Sequence, residues 1–368
     1  MTNKIQSFQS RKYQLEAVNK ALNSYKEKLP SVLINSPVGS GKTFMGLMVI
    51  KELQKQAAIY GKSLRVNWVA ARKHILSQTE EINNKFFNCD INYVSVFNKE
   101  PPVADMLVID EAHHEATQSV IDMYENSKNA ITLGLSATPM RTDRMKLSFR
   151  TEIKTVSIME LVSLGYLANV HSYKIKHYSA PIVANIYVNF RELFGKSIAF
   201  FKTIRECEEF SRILNSQGIV CEVVTGKSDK DLQIEKFANG QIDVIANVSV
   251  LTEGFDVPDL KTVFIRDASR VPTIQMAGRG LRKTEGKEIC NIVQSEKTKY
   301  HVEKIVKPLK RYSYIEDHWR LVTETQNMIE KFVSIYTKNI QNQTARHHVI
   351  VNQNNKIYYR FMGEPMSF

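Results

Sequence analysis

The residues whose types and spacing could do chemistry begin with Lys42 and Thr43, which close the run Ser36-Pro37-Val38-Gly39-Ser40-Gly41-Lys42-Thr43. This is a phosphate-binding pattern. Glycines let the backbone wrap an anion so that several N–H groups point inward, and the lysine meets the β- and γ-phosphates. The threonine hydroxyl can hold Mg²⁺. The strict pattern has Gly where Ser36 stands, and a small residue there still lets a strand end. Asp110 and Glu111 follow the apolar residues 106–109. Paired carboxylates in that position are costly unless a cation or a proton transfer uses them. Asp110 can hold the magnesium through a water, and Glu111 can accept the proton of an attacking water. An acidic helix cap is the other reading of the pair. His113 and His114 diverge on one turn without a third metal ligand, so hydrogen bonding to Ser136 or Thr138 suits them better. Arg279 and Arg282 stand three apart at a helix end, on one face. They could stabilise charge on a transferring phosphate, or simply be solvated surface residues.

These groups need elements that aim them. Val32-Leu33-Ile34 reads as a strand running into the phosphate loop, and the apolar segment after Gly46 as a helix that opens near Lys42. Such a helix adds its positive dipole end to the loop. Residues 11–28 have helical apolar spacing at Tyr13, Leu15, Val18 and Leu22. Strands are expected at 64–70, 106–109 and 130–135, with a helix at 73–87. A second alternation follows after 190, with strands at 196–201, 219–224, 242–246, 261–265 and 289–293. Helices between them are expected at 204–215, 231–238 and 272–280. Strands alternating with helices predict an α/β fold with parallel sheets, whose ligands sit beyond the carboxyl ends of the strands. The phosphate loop, Asp110-Glu111 and Ser136-Ala137-Thr138 all fall at such ends. The domain reading is 1–150 and 191–295 as two lobes, 151–190 as a less regular connection, and 296–368 as a basic, mainly helical extension.

At 368 residues the chain has room for two or three domains, and 43% hydrophobic content argues against disorder. The formal charge of +12 fits a polyanionic partner, or solubility alone. Cys89, Cys207, Cys221 and Cys290 are scattered, with neither zinc spacing nor a disulfide framework, which fits a reducing compartment. The N-terminus has no apolar signal core, and no apolar run reaches the length of about 18 residues that a spanning helix needs.

The ordered set SPVGSGKT, DEAHH, SATP, LTEGFDVPDL and QMAGRGLR resembles a superfamily 2 helicase with two RecA-like lobes. Arg11-Lys12-Tyr13-Gln14 is similar to the adenine-recognising element upstream of the first motif. The forms Leu251-Thr252-Glu253-Gly254-Phe255-Asp256-Val257-Pro258 and Gly278-Arg279-Gly280-Leu281-Arg282 look most like DNA-repair helicases of the RadD type and several phage helicases. The resemblance covers about residues 11–295. It implies an ATP-dependent DNA translocase in the cytoplasm of a bacterial or phage-infected cell. Tyr13 and Gln14 would bind the base; Pro37, Gly39, Ser40, Gly41, Lys42 and Thr43 the phosphates; Asp110 and Glu111 Mg-ATP. His113, Ser136 and Thr138 would couple hydrolysis to motion. Gly254 and Asp256 would contact nucleotide from the second lobe, with Gln275, Arg279 and Arg282 completing the site. Nucleic acid would pass Arg72, Thr225, Gly226 and Thr252. Two alternatives stand beside this reading: an RNA helicase, and an ATP-gated duplex-binding motor or clamp that separates no strands. Residues 297–368 hold 12 Lys/Arg against 6 Asp/Glu, with Tyr300, Tyr312, Tyr314, Tyr336, Tyr358, Tyr359 and Trp319. Either they bind a strand through Lys310, Arg311 and stacking rings, or they pack the tail as core.

Overall fold

The computed structural model describes residues 9–114, 118–127, 130–138, 145–251, 257, 259–284 and 286–323, and the backbone of 359–361 and 364–366. The chain divides into two compact units, Met1–Leu309 and Lys310–Phe368.

The first unit opens with α1 (Lys12–Lys26), whose buried Gln14, Ala17, Val18, Ala21 and Leu22 form one helical stripe. Then come β1 (Ser31–Asn35), α2 (Lys42–Ile59), β2 (Val66–Ala70), α3 (Lys73–Phe86), β3 (Asn92–Ser95) and β4 (Met106–Asp110). After α4 (Gln118–Asn126), β5 (Ile131–Ser136) and β6 (Thr151–Lys154) complete a parallel sheet of order β3-β2-β4-β5-β1-β6. Helices cover both faces, so its central strands are largely apolar, as in the buried run Met106-Leu107-Val108-Ile109 that ends at Asp110. Trp68, Met45 and Ile34 pack one face, and Leu33, Val69 and Ile109 the other. Register pairs Asn35 with Ser136 and Asp110 with Leu135, which brings the carboxyl ends of β1, β4 and β5 level.

A connection through α5 (Ile158–Ser163) leads to the second sheet. Its elements are β7 (Asn169–Ile175), α6 (Ala180–Asn189), α7 (Arg191–Phe194), β8 (Ser197–Phe200) and α8 (Ile204–Ser216). They continue with β9 (Cys221–Val224), α9 (Lys230–Ala238), β10 (Val244–Asn247), β11 (Thr262–Ile265), α10 (Arg270–Gly280) and β12 (Ile289–Ser295). These strands run in the order β7-β12-β11-β8-β10-β9, with every pairing parallel. α8 starts at a capping box, in which Thr203 Oγ1 accepts from the Glu206 N–H and Glu206 accepts in return.

Residues 151–190 are more ordered than their sequence indicates. β6 is short and sits at a sheet edge, and β7 interleaves His171, Ser172 and Lys174 among its apolar residues. Residues 296–309 belong to the first unit, where Val302 and Val306 enter the core of the second sheet. Gln294 Oε1 accepts from the Val302 N–H at 2.8 Å.

In the second unit, the described residues of the expected helical extension form strands instead. β13 (Lys310–Ile315) and β14 (His318–Leu321) make an antiparallel hairpin. Glu316 and Asp317 turn with φ of 50° and 60°, the left-handed geometry that matches strand twist. Tyr314 and Trp319 face each other across it with ring centroids 5.0 Å apart. The alternation Arg311-Tyr312-Ser313-Tyr314 has period two, which selects a strand over a helix. A short antiparallel pair, β15 (Tyr359–Phe361) and β16 (Glu364–Met366), follows. Residues 324–358, in which the rest of the expected helical extension falls, lie outside the described residues.

Candidate active site

The phosphate loop bridges β1 and α2. Gly39 and Gly41 have φ of +79° and +81°, where a side chain would be strained. Ser36, in the place of the pattern's first glycine, is fully buried and does structural work. Its N–H donates to the Ser136 carbonyl at 2.9 Å, and its hydroxyl bonds Ser40 Oγ at 2.7 Å and Thr155 Oγ1 at 2.6 Å. Ser40 Oγ donates to the Pro37 carbonyl at 2.7 Å. The loop is therefore held from within, with the unbonded first N–H groups of α2 at its end.

Tyr13 and Gln14 meet this loop directly. The Tyr13 hydroxyl and Gln14 Nε2 both donate to the Ser40 carbonyl, at 2.7 and 2.8 Å. Gln14 Oε1 accepts from the Arg11 N–H at 2.9 Å, so the amide is largely committed to holding the turn. A Cβ on Gly41 would stand 2.5 Å from Gln14 Nε2, which explains glycine there a second way. Burial raises the Tyr13 phenol above its ordinary pKa.

Asp110 ends β4, and Glu111 turns away with φ of 50° while its N–H donates to Asp110 Oδ1 at 3.0 Å. Glu111 Oε1 lies 3.9 Å from Lys42 Nζ, and Oε2 lies 3.4 Å from His113 Nδ1. His113 Nδ1 is in turn 3.5 Å from Ser136 Oγ, which donates to the Thr138 carbonyl and accepts from the Thr138 N–H. A polar chain thus runs from Lys42 through Glu111 and His113 to Ser136 and Thr138. Burial, reinforced by the charge of Glu111, pushes the Asp110 carboxyl above the usual carboxylate range, and Lys42 opposes the shift. Among the described residues, no group of three or more His, Cys, Asp and Glu is arranged to hold a metal.

The second sheet contributes the opposite wall. α10 carries Arg279, 8% exposed, and ends just before Arg282. A Cβ on Gly278 would come within 3.2 Å of Val38 Cβ, so this helix abuts the phosphate loop. Leu167 lies against Gly39 and bridges to Arg282 through the backbone. Lys287, also buried, donates from Nζ to the Gly280 carbonyl at 2.8 Å, a cation at the helix's negative end. A cavity of about 990 Å³ brings together Gly39, Lys42, Thr43, Asp110, Arg279 and Arg282. Gln14, Gly41 and Glu111 line it too.

Other expected residues stand apart from it. Pro37, Ser40, His113, Ser136 and Thr138 support its walls, and Gln275 sits one turn before Arg279 on α10. Arg72 follows β2, with a guanidinium N–H 3.5 Å from the Val250 carbonyl of the second lobe. Thr225 and Gly226 form a turn after β9, closed by Ser228 Oγ accepting from the Thr225 N–H at 2.6 Å. Lys310 and Arg311 begin β13 in the second unit. Thr252, Gly254 and Asp256 lie outside the described residues, and His114 is described only as backbone in a 3₁₀ turn. Sequence reasoning missed Tyr166, Leu167 and the α9 residues Asp231, Ile234 and Glu235, all of which line the cavity. Arg11 stacks 4.0 Å over the Tyr166 ring, a contact with no local sequence signal.

Comparison with known proteins agrees with this architecture. The family "Type III restriction enzyme, res subunit" matches residues 7–101 and 96–141, and "Helicase conserved C-terminal domain" matches 182–284. "Putative helicase 22" of a Sulfolobus islandicus filamentous virus is 23% identical over 389 aligned residues, covering 86% of this chain and 68% of the relative. "Putative ATP-dependent helicase IRC3" of Saccharomyces cerevisiae is 23% identical over 349, covering 77% of this chain and 51% of that one. The solved "ATP-dependent Type ISP restriction-modification enzyme LlaBIII bound to DNA" aligns with a TM-score of 0.57 at 19% identity, over 81% of this chain and 28% of its own. The chain therefore spans about half of the yeast relative and under a third of the restriction enzyme. Fold and matched families define a protein with tandem RecA-like lobes of the helicase type. The chain belongs to the superfamily 2 helicases. Among its described residues, no helix is long and apolar enough to cross a membrane.

Proposed function

We propose that the chain is a DNA-stimulated translocase whose ATP cycle opens and closes the cleft between its two lobes. One observation carries this reading: the cavity places Lys42 and Asp110 of the first lobe opposite Arg279 and Arg282 of the second. Neither lobe holds a full set of groups for phosphoryl transfer, so turnover requires both. In this reading the substrate is Mg-ATP. Lys42 and the loop amides bind its phosphates, and Thr43 and Asp110 hold its magnesium. Glu111 takes the proton from the attacking water as the bond to the γ-phosphate breaks, and Arg279 and Arg282 offset the charge that develops. His113, Ser136 and Thr138 carry the change away from Glu111. Gln14 keeps one amide hydrogen for the base while holding Ser40.

DNA as partner rests on the chain's basic charge and on the DNA-bound state of the aligned restriction enzyme. Residues 1–150 and 191–295 act as the moving lobes, joined through 151–190, with partner proteins of replication or repair adding a target. The test is ATP hydrolysis with no nucleic acid, single-stranded DNA, duplex, forked DNA and RNA. Stimulation by DNA over RNA is expected. A rate indifferent to all four overturns the reading, and stimulation without release of a forked strand reduces it to a motor or clamp.

A further inference from the structure

The two arginines of the cleft stand where their own helix works against them. Arg279 is the next-to-last residue of α10, and Arg282 follows its end. The last carbonyls of a helix have no intrahelical donor and carry the negative end of its dipole. A guanidinium beside such oxygens is drawn back onto its own helix unless they are occupied. Two successive ones are occupied here. Lys287 Nζ donates to the Gly280 carbonyl at 2.8 Å, and the Ala168 N–H donates to the Leu281 carbonyl at 2.8 Å.

Lys287 is the costlier of these two partners. It is 8% exposed, and an ammonium at such a depth gives up much of its hydration. A neutral amide would satisfy one carbonyl as well, so the hydrogen bond alone does not account for the charge. The surroundings hold that charge in place. The Lys287 N–H donates to the Thr284 carbonyl at 3.0 Å. A Cβ on Gly280 would run into Cys290 Sγ and stand 2.7 Å from Val263 Cγ2, so the helix end rests directly on β11 and β12. Lys287 does not line the cavity that Arg279, Arg282 and Lys283 line. Whatever it does for a bound nucleotide, it does through its neighbours.

We propose that Lys287 is a positioning residue for phosphoryl transfer. Its ammonium occupies the negative end of α10 and repels the guanidinium groups of Arg279 and Arg282, so that both extend into the cleft. The inference rests on the ATP reading above and adds to it the group that keeps the arginines off their own helix.

The test is Lys287→Met, assayed at a temperature where melting curves show each variant fully folded. Nucleic-acid-saturated kcat is expected to fall about 10- to 100-fold, as for a misplaced catalytic group, with ATP affinity within about twofold of the parent. Lys287→Arg keeps both charge and donor and should recover most of the loss. Where Lys287→Met does not fold, Lys287→Gln takes its place, with a donor but no charge, and should lose at least about threefold. The deciding measurement repeats the substitution in an Arg279→Ala/Arg282→Ala background, under single turnover. With no arginine left to position, it should there cost less than about twofold. An equal loss in both backgrounds makes Lys287 a structural support and overturns the proposal, as does a parental kcat in the Lys287 variant that folds. An Arg279→Ala/Arg282→Ala chain with parental turnover overturns the ATP-site reading itself, so the two failures are told apart.

Discussion

Gly278 of the second lobe and Val38 of the phosphate loop approach so closely that a Cβ on the glycine would stand 3.2 Å from the valine's own. The arginine-bearing helix is thereby seated on the loop it must serve. Gly278 lies within regular helix, so replacing it adds volume without backbone strain. The branched carbons of Gly278→Val cannot be placed unless α10 lifts. A displacement of about 1 Å at a catalytic group can cost about 10²-fold in rate, and a loss of that order is expected in nucleic-acid-saturated kcat. Gly278→Ala should cost far less, and Val38→Ala should restore part of the Gly278→Val loss. Steady-state ATP hydrolysis reads all three, and a Gly278→Val chain with parental kcat would mean the lobes do not work in this closed form.

Arg279→Ala should lower turnover on the order of 10³-fold while sparing nucleotide affinity, because the guanidinium acts on charge that develops in transit. Lysine should not rescue it, since a point charge lacks the planar fork. Turnover and ATP affinity are measured separately. Arg279→Ala or Arg282→Ala variants that lose only DNA binding would move these residues out of the ATP site.

Most of this architecture is legible in the sequence wherever burial imposes a period. The helix at Lys12–Lys26 is legible through Val18 and Leu22, although Leu15 of the expected stripe is 43% exposed and Ala17 and Ala21 are buried in its stead; the strand at Met106–Asp110 shows an unbroken apolar run up to Asp110, because it has a defined inner surface. Edge elements leave weaker traces. β3 is Asn-Tyr-Val-Ser with only Val94 buried, and β6 buries only Ile153, so neither carries a clear pattern. The site divides in the same way. Lys42, Asp110 and Glu111 are readable because their chemistry needs fixed local spacing. Leu167 against Gly39, and Gln14 beneath Ser40, are contacts between distant segments, and no local rule encodes them. The Ser36 hydroxyl bonds likewise follow from the register of β1 with β5, not from its neighbours in sequence.

Lys42→Ala and Glu111→Gln should fail differently although their side chains are only 3.9 Å apart. Without Lys42 the phosphate charge is uncompensated, and both ATP affinity and hydrolysis are expected to collapse. With Glu111→Gln the proton acceptor is lost while the phosphate contacts persist, so ATP should bind and accumulate unhydrolysed. A fluorescent ATP analogue measures binding, and phosphate release measures turnover. Normal turnover in either variant removes that residue from the catalytic assignment.

Asp110 should trade stability for function. Its carboxyl is raised above the ordinary range chiefly by burial, then by Glu111. Between the unfolded and folded pKa values the native chain binds more protons than the unfolded one, so this group's contribution to stability falls as pH rises through that window. Above it Asp110 is ionised in both states, and the cost of burying the charge is borne in full. Asp110→Asn keeps the shape and removes that cost. In the nucleotide-free chain at pH 7.5 the melting temperature is expected to rise by roughly 2–5 °C, from a shift of about 1.4 kcal/mol per pKa unit. The gain should shrink towards zero near pH 4, where the parent's Asp110 is itself neutral when folded, while ATP hydrolysis is lost at every pH. A melting temperature that falls at pH 7.5, or a gain that ignores pH, would show that Asp110 is stabilised by its surroundings and not strained by them.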